Sequence, residues 1–365
     1  MSIDQLRVTN FRNLSSKDLV FHPKLNFFSG KNGSGKTSIL EAIYYISTGR
    51  SFRSRTIDTI INRHCAQAVE FILYGHLSDQ TGKHQIGISK STIQPSQIRV
   101  NKQTVQTASQ LAKISPTLLI DPLSFELLNG APAQRRQFLD WGVFHVEHSF
   151  SIHWRNYINC LKQRNSLLRS AKIDRISLDV WDRKLAEFGE LVHQLREMYF
   201  ERFQSQLNFY LNYFSLDEHI KVSYAKGWDK SKQLQEALSQ FREKDIERRF
   251  TQPGPHRADI KLTLYGHPAK ENLSRGQQKL LIIAMYLAQI QTLLETQQRK
   301  TVVLIDDVTA ELDKDNLDQV FKQLVTLDAQ VIVTTLNDSV LKQLKSHHSN
   351  YKMFHVEHGQ ITELE

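Results

Sequence analysis

Cysteine is scarce in this sequence, turn residues are few and long apolar runs are missing, and each scarcity closes a class of protein. The two cysteines among 365 residues, Cys65 and Cys160, lie far apart with no CxxC. Two structural thiols in a reducing cytoplasm fit that usage better than a disulfide or a zinc site. No apolar stretch approaches the roughly 18 residues of a membrane span, and the opening MSIDQLRVTNFRN lacks the apolar core of a signal peptide. With 15 Gly and 8 Pro the chain is neither low-complexity nor collagenous. The expectation is a cytoplasmic globular protein of one large or two medium domains.

Acidic residues are under-represented in one region only. The formal net charge is +9. Residues 1–120 hold 15 Lys and Arg against 6 Asp and Glu, so the excess lies in the N-terminal third. Such a concentration favours phosphate partners.

Along the chain, Ile3–Val8, Asp18–Phe21 and Leu25–Ser29 read as strands. GKNGSGKT follows, then a helix-like SILEAIYYIS. Short strands are expected between about 69 and 105, the last two around an Asn101-Lys102 hairpin turn. From about Ala133 to Phe214 nearly everything has helical period, and two long stretches there should pack as an antiparallel pair. After the breaker QPGPH, strands are expected at Asp259–Tyr265, Thr301–Ile305 and Gln330–Thr335, helices from Leu280 and at Asn316–Val325, and a closing hairpin at Tyr351–Glu363. The architecture read from this order is one α/β core split by a helical insertion, with an ATPase lobe at 1–120 and 288–365 and a mainly helical lobe at 121–287. The pentapeptide FHVEH occurs twice, at 144–148 and 354–358. Its spacing does not match the two-histidine HExxH pattern, so it reads as structure, not a metal site.

Three stretches carry chemistry. Gly30–Thr37 matches GxxxxGK[ST] between an apolar strand and a helix. Its glycines let backbone N–H groups curl around phosphate, Lys36 reaches the β and γ phosphates, and Thr37 presents a hydroxyl to Mg²⁺. TVVLIDD is a buried strand ending in two carboxylates. Asp306 is the metal-side candidate, and Asp307 the group that orients or deprotonates the attacking water. Asp is shorter than Glu, so slow hydrolysis is expected. In NLSRGQQK, Ser274 and Gln277 have capping-box spacing at the start of an apolar helix. A helix start of this kind is an anion site, and it can complete a nucleotide site from another subunit.

GKNGSGKT, LSRGQQ, LIDD and ELD, in this order, resemble the head shared by ABC-type ATPases, including Rad50, SMC proteins and transporters. NFRNL at 10–14, GRSFR at 49–53, GAPAQRRQFLD at 130–140 and GPHRADI at 254–260 are similar to the RecF recombination-repair family, end to end. The resemblance implies an ABC-type P-loop head with a mixed sheet core, flanking helices and an inserted helical lobe. It implies ATP and Mg²⁺ as cofactors and a homodimer formed on ATP. Gly30, Lys31, Asn32, Gly33, Ser34, Gly35, Lys36 and Thr37 of one subunit would face Ser274, Arg275, Gly276 and Gln277 of the other. Arg12 would lie near the nucleotide, and Asp313 would touch the opposite subunit. The dimer would clamp double- and single-stranded DNA at gap junctions, act with RecR and RecO, and help load RecA.

Two other readings compete, a transporter ATPase and an SMC-like chromosome-organising head. Thr334 and Thr335 stand where transporters commonly have a histidine, and Asp307 where they commonly have Glu. Long heptad arms and a CxxC hook, which an SMC-like head would bring, are missing. The family's Mg²⁺-binding glutamine loop is not placed. For DNA, the candidates are Arg50, Arg53, Arg55 and Arg63 just after the P-loop helix, and Arg155, Lys162 and Arg169 at seven-residue spacing along one helix face. Such contacts would act on phosphates and be salt-dependent.

Overall fold

The structure, a computed structural model, describes residues 1–365 except 63, 64, 66, 67, 81, 106, 308–311, 337–349 and 365. The chain forms two compact units, Met1–Ser124 with Gln297–Glu365, and Phe125–Thr296.

The first unit holds two six-stranded sheets. In one, Lys352–Glu357, Leu25–Ser29, Gln330–Thr335, Val302–Asp306 and Thr117–Ile120 lie side by side in that order, all parallel, and Gln360–Leu364 adds an antiparallel edge. LNFFS and QVIVTT are buried at every position, as strands covered on both faces must be. The short edge strand Thr117–Ile120 (TLLI) has too few residues to show a period and was not anticipated from sequence. The other sheet is an antiparallel meander running Leu14–Val20, Ser2–Phe11, Glu70–Asp79, Gly82–Ser91, Gln97–Val100 and Gln103–Thr104. Its last hairpin turns at Asn101 and Lys102, both at positive φ. The P-loop helix, Lys36–Thr48, packs against strands of both sheets, which is why it is buried on nearly all sides and not along one stripe. Edge-to-face contacts of Phe11, Tyr45 and Phe71, with centroids 5.1–6.0 Å apart, fill the space between them.

The second unit contains Pro132–Val146, Phe150–Leu168 and the 39-residue helix Arg175–Tyr213, the last two packed as a pair. Arg164, fully buried between them, joins Asp182 at 2.5 Å and Asp245 at 2.8 Å. The unit is less purely helical than its sequence suggests. Ile220–Ala225, Asp259–Leu264 and His267–Pro268 make a three-stranded antiparallel sheet, and Leu234–Arg248 is a further helix. The six residues IKVSYA are too short to announce a strand without the partner they pair with, Asp259–Leu264. Helix Arg275–Gln297 belongs to this unit almost to its end. Gln289 Nε2 donates to the Phe138 carbonyl at 2.8 Å, so residues 288–296, placed with the ATPase lobe on sequence, lie here.

Candidate nucleotide site

Strand Leu25–Ser29 delivers the chain into Gly30–Gly35, and Gly35 caps the buried helix that starts at Lys36. Gly30 must be glycine. A Cβ there would lie 2.2 Å from the Val356 carbonyl oxygen, at φ +155°. Lys36, only 7% exposed, donates from Nζ to the carbonyls of Gly30 at 2.6 Å and Lys31 at 2.9 Å. Burial pulls its ammonium below the ordinary value, and the carboxylates of Asp307 and Asp306 act against that.

Register brings the acids to the loop. Strand Val302–Asp306 lies two strands from the P-loop strand, across Gln330–Thr335. The Thr37 hydroxyl donates to the Asp306 carboxylate at 3.0 Å. Thr334, opposite Asp306 on the neighbouring strand, donates its hydroxyl to Asp306 Oδ1 at 2.6 Å and accepts the Asp307 N–H at 3.2 Å. Asp307 follows the strand at φ +51°, an uncommon backbone for a residue with a side chain. Lys36, Thr37, Asp306 and Asp307 line an open cleft of about 620 Å³ together with Arg12, Asn13, Asn32, Gly33, Gly35, Arg53 and Pro122. The hydroxyl of Thr37 facing the carboxylate of Asp306 is a pair of hard oxygen donors, which suits Mg²⁺.

Arg12 lines the cleft and forks onto Glu41, Nε to Oε2 at 2.8 Å and Nη2 to Oε1 at 2.6 Å, and it also reaches the Thr59 carbonyl. Glu41, fully buried on the P-loop helix, accepts from the Ser51 hydroxyl and stands 3.7 Å from Arg53. Arg53 lines the cleft and, like Arg50 and Arg55, is exposed. Arg63 lies outside the described residues.

In the second unit, Ser274 and Gln277 make the reciprocal cap. Ser274 N–H donates to Gln277 Oε1 at 3.0 Å and Gln277 N–H to Ser274 Oγ at 3.3 Å. Gln278 is spent on the carbonyls of Lys270 and Leu273. Ser274, Arg275 and Gln277 are exposed and Gly276 is half-buried, with nothing within 4 Å of where its Cβ would stand. Asp313 caps helix Lys314–Thr326 by accepting the Asn316 N–H at 2.8 Å. Arg155, Lys162 and Arg169 are all exposed along helix Phe150–Leu168 and its C-cap.

Sequence reasoning missed four residues of the first unit. Asn13 donates to the Ser34 carbonyl at 3.2 Å. Thr334 orients both acids. Glu41 anchors Arg12, and a lone carboxylate inside SILEAIYYIS was a legible signal that a cation must meet it. Asp121 ends strand Thr117–Ile120, whose Ile120 lies opposite Ile305, and burial pushes its carboxyl up while Ser124 holds it by two hydrogen bonds of 2.9 Å.

Comparison with known proteins gives the chain its relatives. A family model described as the RecF/RecN/SMC N terminal domain matches residues 2–362. The chain is 39% identical over 364 residues to the DNA replication and repair protein RecF of Stutzerimonas stutzeri (strain A1501), covering 100% of this chain and 98% of the relative. It is 39% identical to that of Cellvibrio japonicus (strain Ueda107) over 365 residues, 99% of each. A solved structure of the recombination mediator protein RecF-ATP in the RecFOR pathway superimposes with a TM-score of 0.85 at 25% identity, over 100% of this chain and 98% of that one. An SMC head bound to the C-terminal winged-helix domain of ScpA shares the fold alone, with a TM-score of 0.62 at 16% identity over 100% and 98%. With a family match over nearly its whole length and relatives this similar end to end, the chain belongs to the RecF family.

Proposed function

We propose that this chain is a DNA replication and repair ATPase that binds ATP with Mg²⁺ at Gly30–Thr37 and closes as a homodimer on DNA. The observation that carries the reading is the convergence of Lys36, Thr37, Asp306 and Asp307 on one cleft. When bound, ATP supplies the phosphoanhydride whose hydrolysis resets the dimer, and Mg²⁺ offsets the phosphate charge. The amides of Gly30–Gly35 cradle the phosphates, and Lys36 turns from the carbonyls of Gly30 and Lys31 to phosphate oxygens. Thr37 and Asp306 hold the metal, with Asp306 aimed by Thr334. Asp307 orients the attacking water, and its short side chain makes hydrolysis slow.

The Ser274 helix start supports a second half-site from the partner subunit. Its cap satisfies the Gln277 amide, while those of Arg275 and Gly276 have no acceptor among the described residues. A glycine in the first turn of a helix costs up to about 1 kcal/mol relative to Ala. Nothing near Gly276 requires one within its own chain, so the position suits a partner's close approach. Asp313, an exposed cap, is assigned to the same subunit boundary.

The names of the relatives support DNA repair, and the RecFOR description of the solved relatives supports RecR and RecO as partners in loading RecA at single-strand gaps. No helix among the described residues is long and apolar enough to cross a membrane. A cytoplasmic place follows from the proposed DNA partner. The test is light scattering with and without ATP, in the presence and absence of gapped DNA. The wild-type mass should double with ATP. Ser274→Arg should bind nucleotide yet stay monomeric, and a variant that still doubled would remove the Ser274 helix from the dimer.

A further inference from the structure

The carbonyl of Ser34, inside the P-loop, is held from two places far away in sequence. Asn13 Nδ2, at the turn of the first hairpin, donates to it at 3.2 Å, and the Gly359 amide, at the turn of the last hairpin, donates at 2.8 Å. The Ser34–Gly35 peptide is trans and planar, so its carbonyl and its N–H point in opposite directions. Two donors on the carbonyl therefore set the direction of the Gly35 N–H, one of the amides of the anion-binding loop.

The three segments leave each other no slack. Gly359 has φ +75°, and a Cβ on it would stand 2.2 Å from the Asn13 carbonyl oxygen. A Cβ on Gly35 would stand 2.9 Å from Asn13 Nδ2. Asn13 Oδ1 is buried with no hydrogen-bond partner, so the side chain is held for its donor and not for a full set of bonds. The first and last hairpins thus meet at one P-loop peptide, which neither hairpin needs for its own strand pairing.

We propose that Asn13 and the Gly359 turn are positioning residues for nucleotide binding. They hold the Gly35 amide in its anion-binding direction before the nucleotide arrives, so that binding costs no reordering of the loop. This rests on the ATP reading of Gly30–Thr37.

The experiment uses the full chain. Asn13→Leu keeps the size and removes the donor without adding charge beside the phosphate site, and Gly359→Ala forces the turn away from Asn13. Gly266→Ala is the control, a glycine at φ +81° with open space around it. Affinity for a fluorescent ATP analogue with Mg²⁺, KM and kcat for ATP hydrolysis, and the melting temperature without nucleotide are measured. Loss of one such hydrogen bond should weaken binding about tenfold in Asn13→Leu and in Gly359→Ala. KM should rise with kcat nearly unchanged, the nucleotide-free melting temperature of Asn13→Leu should stay near wild type, Gly359→Ala should lose more affinity than its strained turn costs in nucleotide-free stability, and the control should bind normally. Wild-type affinity in both variants overturns the proposal, as does an affinity loss matched by an equal loss of nucleotide-free stability. If Gly359→Ala fails to fold, the uncharged, similar-sized Asn13→Leu decides alone. Wild-type protein that ignores the analogue, or Lys36→Ala that binds it as well as wild type does, sinks the ATP reading itself.

Discussion

One hydroxyl, that of Thr334, shapes both acids of the candidate site. It donates to Asp306 and accepts the amide of Asp307, which is bent to φ +51°. A non-glycine residue in that region is held there by its surroundings and marks a position where side-chain direction matters. Asp306 is engaged by Thr37 and Thr334, and the role proposed above for Asp307 is to orient water. Asp307→Asn should leave ATP affinity within a few-fold of wild type and lower single-turnover hydrolysis by about 10² or more. The ATP-bound dimer should then persist on DNA. An unchanged hydrolysis rate in rapid-quench measurements takes Asp307 out of the chemistry. The two aspartates were legible in sequence because they end an apolar strand. Thr334 was not, because its role exists only through its pairing opposite Asp306, 28 residues away.

Elements show how far local sequence carries. FHVEH lies at the end of helix Pro132–Val146 in one copy and largely in strand Lys352–Glu357 in the other. The same five residues take two structures because one copy continues a helix and the other pairs beside Leu25–Ser29. The stretch Gly254–Ile260, read in sequence as a breaker followed by a strand and as part of the RecF resemblance, contains a half-buried histidine with a structural task. His256 Nε2 donates to the Thr251 carbonyl at 3.1 Å, and Nδ1 accepts from the Tyr157 hydroxyl at 2.6 Å. The Tyr157 hydroxyl needs Nδ1 unprotonated, and burial holds the ring's pKa down to about 4 against the Thr251 carbonyl, which favours the charged form. A base depressed on folding contributes stability above its unfolded value near 6.5, and that contribution is lost as pH falls toward 4. The second unit should lose up to roughly 3 kcal/mol over that window. Denaturant titrations from pH 7 to pH 4 should show this slope in wild type and not in His256→Asn. Parallel slopes would assign the acid sensitivity to other groups.

For the whole molecule, the charge distribution matters more than the total. The excess of basic residues lies within the first 120, yet Arg12 and Arg53 are engaged with Glu41, and Lys36 is folded onto its own loop. Of the candidate DNA contacts, Arg50, Arg53 and Arg55 in the first unit and Arg155, Lys162 and Arg169 in the second are exposed. If the latter three meet backbone phosphates, each should add about 0.9 to the slope of log K against log salt on duplex DNA. A triple alanine variant should lower the ATP-dependent slope by nearly three, in fluorescence anisotropy at several salt concentrations. A slope equal to wild type would leave that row as a solvated helix face.

The P-loop, the two strand-end acids and the Ser274 cap were determined by sequence alone, because each is built from residues within a few positions of one another. Their chemistry follows from spacing on a single strand, loop or helix start. The grip of Glu41 on Arg12, the aim of Thr334 at Asp306, the place of Asp121 one strand over and the hold of Asn13 and Gly359 on Ser34 were decided by tertiary structure. Each joins segments whose proximity depends on strand order and register, and no local period in the chain encodes those.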